Sequence, residues 1–266
     1  MHSSRAVLLL LVIALYCPAS AVAQDSVFLE DLTWTEVRDA LASGKTTVII
    51  PTGGTEQNGP HMVLGKHNYL VRYKAGEVAK RLGNALVAPV VAYVPEGDVD
   101  PPTGHMRFSG TITTPTDVFA KVLEFAARSF KQHGFRDIAL LGDSGGNQSA
   151  QQSVAGALNK EWARASVRVH HVSDYYPGPG DDWLKQQGVS AEDVGSHASI
   201  HDTASLLFLN PAMIRRNSLA PGKAGDGTGV VGNPARATIE YGGRILELQI
   251  DAAVGQIRIL RESSRK

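Results

Sequence analysis

The sequence predicts an α/β fold, a three-layer α/β/α sandwich around a mostly parallel central sheet. Short apolar, β-branched runs at 47–50, 85–93, 136–141 and 167–172 alternate with longer stretches of helical period at 68–82, 115–133 and 148–165. Strands covered on both faces read as continuous apolar runs. Strands alternating with helices of this length pair in parallel through right-handed crossovers. Polar, glycine-rich loops follow the first and third runs, at the strand edge where open α/β sheets bind ligands.

The chain has 266 residues, enough for one domain with a real core. Lys+Arg and Asp+Glu are 26 each, so the net charge is zero and nothing favours nucleic acid or an anionic membrane surface. Arg5, an apolar run at 6–16 too short to span a bilayer, and Ala21-Val-Ala23 together read as a secretory signal peptide over 1–23. The expected domain is then 24–266, located in the periplasm or secreted, with no membrane association after cleavage. The one cysteine, Cys17, falls in the leader, so the mature chain is expected to hold no disulfide and no thiolate ligand.

The elements follow in order. Thr33 and Glu36 form a capping box for a short helix to Leu41, ended by Gly44. The strand at 47–50 is closed by Pro51. The helix at 68–82 stops at Gly83-Asn84. After the strand at 85–93, residues 95–111 form a long irregular segment of the kind that carries function in compact domains. The helix at 115–133 places Val118, Val122, Phe125 and Phe130 on or near one face. Residues 174–182 and 211–232 read as Pro- and Gly-rich loops, and a helix leads from 195–204 to Leu209. Asn233-Pro234 is a good helix start. Leu246, Ile250, Ala253, Val254, Ile257 and Leu260 then form one stripe, with Gly242-Gly243 expected to weaken or kink the helix.

Three loops hold the candidate chemistry: 53–67 with Glu56, Asn58, His61 and His67; 142–147 with Asp143 and Ser144; 195–203 with His197, His201 and Asp202. Carboxylates and imidazoles converging on one pocket are the donors of a metal site that keeps a position open for water. Gly142-Asp-Ser-Gly-Gly146 also fits a nucleophile-elbow spacing around Ser144, with His197 downstream.

The stretch Glu56-Gln57-Asn58-Gly59-Pro60-His61, with His67 beyond it, resembles the Glu-Gln-His-Gly-Pro-His…Asp signature of the creatininase (creatinine amidohydrolase) family. His105 before Phe108-Ser-Gly-Thr, the Gly142–Asn147 loop, His197-Ala198 with Asp202-Thr203, and Gly229-Val-Val-Gly-Asn-Pro234 extend the resemblance over nearly all of the expected mature chain. Asn58, His67 and Ser144 stand where family members carry His, Asp and His.

With the leader, the resemblance implies an exported hydrolase of a non-peptide C–N bond in a small cyclic or linear amide, and by itself a homo-oligomer. It implies a divalent metal, zinc or manganese, and the altered positions favour one ion over two. Glu56, His67 and Asp202 are the expected ligands, with Asp143 as a possible fourth ligand or catalytic acid. His197 is the expected proton shuttle. Asn58, His61, His105, Ser144 and His201 stand in reserve, as substrate contacts or orienting groups. A non-catalytic binding protein and a serine hydrolase using Ser144 are the alternatives.

Overall fold

The computed structural model describes residues 26–176 and 178–263. The leader expected at 1–23 lies outside the described residues. Four strands, β1 (Thr47–Thr52), β2 (Ala85–Val87), β3 (Asp137–Gly142) and β4 (Arg168–Val172), form a sheet in the order β2-β1-β3-β4. Every pairing is parallel, with Thr47 opposite both Ala85 and Asp137. Helices cover both faces, so the three-layer sandwich holds.

The layers follow from the period-two alternation of the strands. Val48, Ile50, Ile138 and Leu140 face one way, onto α3 (Thr116–His133), α4 (Gly145–Glu161) and α1 (Trp34–Ala42). Ile49, Ala139 and Leu141 face the other way, onto α2 (Lys66–Leu82) and α8 (Ile239–Ser263). The crossover from β1 to β2 runs through α2 on one face. The chain then returns past β1 and reaches β3 through α3 on the opposite face. This reversal makes a topological switch point between the carboxyl ends of β1 and β3, where ligands bind in open α/β sheets. Residues 53–67 and 143–146 leave the sheet there, side by side. Beyond this rim, α5 (Gly178–Gln186), α6 (Ala191–Val194) and α7 (Ile200–Leu209) pack against the first half of α8.

Local signals behave as the sequence predicts at several boundaries. Thr33 and Glu36 make the capping box of α1, and Gly83 ends α2 with φ 77°. Other boundaries move for physical reasons. The strand expected at 85–93 is regular only to Val87, because Pro89 has no N–H for a ladder. The chain rejoins the edge at Val91, whose N–H donates to the Pro51 carbonyl at 3.0 Å. The loop expected at 174–182 gives way to α5 from Gly178. Asn233-Pro234 opens only a single 3-10 turn, Pro234–Arg236, before α8 starts at Ile239. On α3 the buried face is Phe119, Leu123 and Ala127, while Val118, Val122 and Phe125 are exposed. That helix carries two apolar stripes, and the core takes the one in i, i+4, i+8 register.

Gly242 does not interrupt α8, which runs unbroken over Ile239–Ser263. A Cβ there would stand 1.9 Å from the Ala204 carbonyl oxygen, so the glycine is what lets α8 lie against α7. This contact fixes the start of α7, which carries Asp202, against the rest of the domain.

Candidate active site

A cavity of about 470 Å³ opens at the switch point. Its walls come from all three loops singled out in the sequence, through Glu56, His67, Ser144, His197, His201 and Asp202, and from the irregular segment through Glu96 and His105.

Glu56 lies at the floor and is buried. It sits two residues beyond Gly54, where a Cβ would meet the Glu96 carboxyl at 2.4 Å, so the glycine admits a second acid beside the first. His67 Nε2 is 2.9 Å from Glu56 Oε1, and its Nδ1 is 3.0 Å from Asp143 Oδ2. Lys74 completes the row with an ion pair to the other oxygen of Asp143. Lys66, the first residue of α2, turns inward. Its Nζ is 3.0 Å from Asp202 Oδ2 and 3.5 Å from Glu56 Oε1, with its side chain 1% exposed. Asp202 Oδ2 also accepts from the Ala198 N–H at 2.9 Å. Ala198 adopts φ 52° to present that donor, a left-handed conformation costing about 1–2 kcal/mol outside glycine.

The electrostatics follow from these contacts. Burial alone would raise the Glu56 pKa, but His67 and Lys66 outweigh it and hold the carboxyl well below its ordinary range. Burial works against charging His67, yet Glu56 and Asp143 on its two nitrogens raise its pKa above the usual histidine value. The ring is an imidazolium that donates on both sides. Burial and the neighbouring Glu56 push Glu96 up to about 10, so it is a neutral acid that donates to Glu56. Lys66, His67 and Lys74 thus offset Glu56, Asp143 and Asp202, three cations against three carboxylates.

A second group lies toward the mouth. Among the described residues, Glu56, His105 and His197 are the set whose ligand atoms all lie within 4.8 Å of one another. His105 Nε2 is 3.3 Å from Glu56 Oε2, and His197 Nδ1 is 3.7 Å from Glu56 Oε1. His197 Nε2 lies 2.9 Å from the Gln57 backbone carbonyl oxygen. The same nitrogen lies 3.0 Å from the Gln57 side-chain amide nitrogen, which can only donate, so the two contacts call for opposite tautomers; with the proton on Nε2 the Nδ1 lone pair faces the carboxylate. Metal-binding histidines are oriented in this manner, with the remote N–H held by a carbonyl. The Gln57 side-chain amide lies 3.0 Å from His105 Nδ1. Burial lowers the pKa of His105, and burial with Lys66 lowers that of His197 to about 4, leaving both rings neutral as ligands must be. One carboxylate and two neutral imidazoles are the donor set of a single divalent ion with an open position; His105 binds through Nε2 only when its proton moves to Nδ1, on the side of the Gln57 amide.

The other sequence candidates have local partners. Asn58 donates its amide to the carbonyls of Glu56, Val63 and Leu64, bracing the loop. His61 is fully buried, with Nε2 3.1 Å from Thr203 Oγ1, and burial lowers its pKa to about 4. His201 pairs with Asp181 at 2.6 Å on the cavity wall. Ser144 caps α4, its hydroxyl accepting from the Gly146 N–H, in an ordinary extended conformation rather than a strained elbow. No imidazole is bonded to that hydroxyl among the described residues. Asp143 is only 2% exposed and fully engaged by His67 and Lys74.

Three residues of the site carry no role in the sequence reading: Lys66, Glu96 and Gln57. A signal for the first was available. Helix starts favour acids over cations, so Lys66-His67 at the head of α2, with no acid in its first turn, points to carboxylates supplied from elsewhere.

Known proteins resemble this chain over most of its length. The family described as creatinine amidohydrolase matches residues 30–257. The mycofactocin precursor peptide peptidase of Mycobacterium tuberculosis (strain ATCC 25618 / H37Rv) is 27% identical over 248 residues, covering 82% of this chain and 86% of the relative. The creatinine amidohydrolase of Pseudomonas putida is 25% identical over 200 residues, 71% of this chain and 74% of that protein. Among solved structures, a zinc–zinc form of a creatininase variant superposes with a TM-score of 0.75 at 22% identity, covering 88% of this chain and 98% of that one. The relatives are hydrolases of C–N bonds, and the match runs from the first helix through most of the last. The chain therefore belongs to the creatininase (creatinine amidohydrolase) family.

Proposed function

We propose that the protein is an amidohydrolase that cleaves the C–N bond of a small cyclic or linear amide in the cavity at the switch point. The observation that carries the reading is the convergence of Glu56, His105 and His197 from three separate loops, with ligand atoms within 4.8 Å of one another. These three residues would hold one divalent ion, zinc or manganese. When bound, that ion supplies Lewis acidity toward a carbonyl and acidifies water.

The chain's own groups do the rest. Gln57 orients both imidazoles, through its side chain and its carbonyl. Lys66 and His67 keep Glu56 ionised and fixed in a dry floor. Glu96, a neutral acid on the cavity wall, holds a proton beside Glu56 that can be given to a departing nitrogen. The cavity volume suits a small molecule. Export through the leader at 1–23 and self-association belong to the same reading, supported by the leader's sequence pattern and by the family.

The test is hydrolysis of a panel of small amides, lactams and short peptides by the chelated protein, with and without added zinc or manganese. Metal-stimulated release of amine from at least one small amide is expected. Absence of turnover across the panel, with no ion retained, would overturn the proposal. It would favour a binding protein, the reading supported by the self-neutralised floor in which three carboxylates already have cations.

A further inference from the structure

The floor of the cavity holds two carboxylates with one cation between them. Lys66 Nζ is 3.0 Å from Asp202 Oδ2 and 3.5 Å from Glu56 Oε1. The ammonium is sealed, with a side chain 1% exposed. It begins α2, where the helix dipole opposes a positive charge, so its inward course is held by those two acids. On its far side His67 joins Glu56 to Asp143, and Lys74 joins Asp143 to Gln249 Oε1 at 3.3 Å. Every carboxylate of the floor therefore has a cation built from the chain.

A divalent ion shared by Glu56 and Asp202 would have to displace the Lys66 ammonium from both acids or hold a position beside it. Both are costly, because an unpaired buried ammonium and two adjacent buried cations are each strongly disfavoured. We infer that Lys66 is a covalently attached replacement for a metal ion between Glu56 and Asp202, so that the chain takes no second ion and its metal chemistry is confined to the Glu56–His105–His197 set. The inference rests on the proposed function for the first ion but not for the exclusion of the second.

The experiment counts ions. Wild-type protein and Lys66→Met, which keeps the aliphatic stem and removes the charge, are equilibrated with Zn²⁺ or Mn²⁺, desalted and analysed by elemental mass spectrometry. Mn²⁺ electron paramagnetic resonance reads whether ions are isolated or spin-coupled. The expected result is about one ion more per chain in Lys66→Met than in wild type, with a coupled spectrum in the variant alone. Lys66→Met/His67→Asp, which also removes the neighbouring imidazolium, is expected to bind the added ion at least tenfold more tightly.

A folded Lys66→Met with the wild-type count overturns the inference. Two ions on the wild-type chain overturn it whatever the variants do. A variant that folds only when zinc is present supports it, since the ion then restores the missing cation. No ion on wild type and one on Lys66→Met would sink the one-ion reading and keep this inference. One ion on both would do the reverse.

Discussion

His67 Nε2 donates to Glu56 Oε1 across 2.9 Å, so a residue of the first turn of α2 is bonded to the loop that leaves β1. The same ring reaches Asp143 at the end of β3. One imidazolium therefore ties together the two strand ends that form the switch point, and the cavity floor depends on its charge.

Replacing His67 by Gln should cost about 3–5 kcal/mol, the usual result of removing one partner of a buried ion pair. The pH dependence has a definite sign. The folded pKa of His67 is raised above its unfolded value of about 6.5, so the native state binds more protons in that window. Its contribution is fully present below about pH 6.5 and is lost as pH rises through the folded value. Urea unfolding of chelated protein from pH 6 to 10 should show wild type losing stability relative to His67→Gln across that range. A constant difference would show that the ring is held neutral.

The contact between Gly242 and the Ala204 carbonyl predicts opposite outcomes for two glycines of one helix. Gly242→Ala drives a methyl into backbone and should cost about 3 kcal/mol, the upper end of overpacking costs. Gly255, also within α8, has open space around its Cβ position. Gly255→Ala should gain about 0.5–1 kcal/mol by relieving the entropic cost of a mid-helix glycine. Urea midpoints of the two variants against wild type check both.

Periodicity and breakers made most of the layers legible before any coordinates. The apolar runs gave β1, β3 and β4, and Gly83 marked where α2 ends. What stayed hidden depends on contacts between distant segments. Gly242 looks like a flaw until α7 is placed against it. Gly178 begins a helix in a composition that reads as loop, because Leu184 finds the pocket formed with Ile200, Ala204 and Ile245.

In the site, residues of familiar chemistry in loops are visible as candidates, including His105 and His197. Lys66 and Glu96 were not, because a lysine is by default solvated and an acid in an irregular loop by default exposed. Their burial exists only once α2 and the 95–111 segment close over the same floor.

Glu96 offers a test with the reverse pH logic. Its folded pKa is raised to about 10 by burial and by Glu56. It therefore lowers stability as pH climbs from its unfolded value of about 4.3 towards 10. Glu96→Gln removes that titration and can still donate to Glu56. In chelated protein at pH 8 the variant should be more stable than wild type by several kcal/mol, since each pH unit between the two values costs the wild type about 1.4 kcal/mol. Below pH 4, where the acid is protonated in both states, the advantage should vanish. Denaturant titrations at the two pH values decide it, and a variant that is less stable at pH 8 would show that the carboxyl is ionised.

Gln57 separates a residue that tunes the ligands from one that only braces the loop. Its side-chain amide meets His105 Nδ1 at 3.0 Å, and its Oε1 accepts from the Gly59 N–H at 2.9 Å. Gln57→Leu removes the partner that orients His105. Loss of such a partner typically weakens metal binding about 10–100-fold. The orphaned Gly59 N–H adds about 1–3 kcal/mol of destabilisation. Asn58→Ala strips three loop carbonyls of a donor while leaving the His105–Gln57–His197 arrangement in place. It should lower stability by a similar amount, with zinc affinity kept within a few-fold of wild type. Competitive zinc titration with a chromophoric chelator, run beside thermal melts, gives both quantities for both variants. Equal losses of affinity in the two would mean that the loop as a whole, rather than the amide of Gln57, positions the imidazoles.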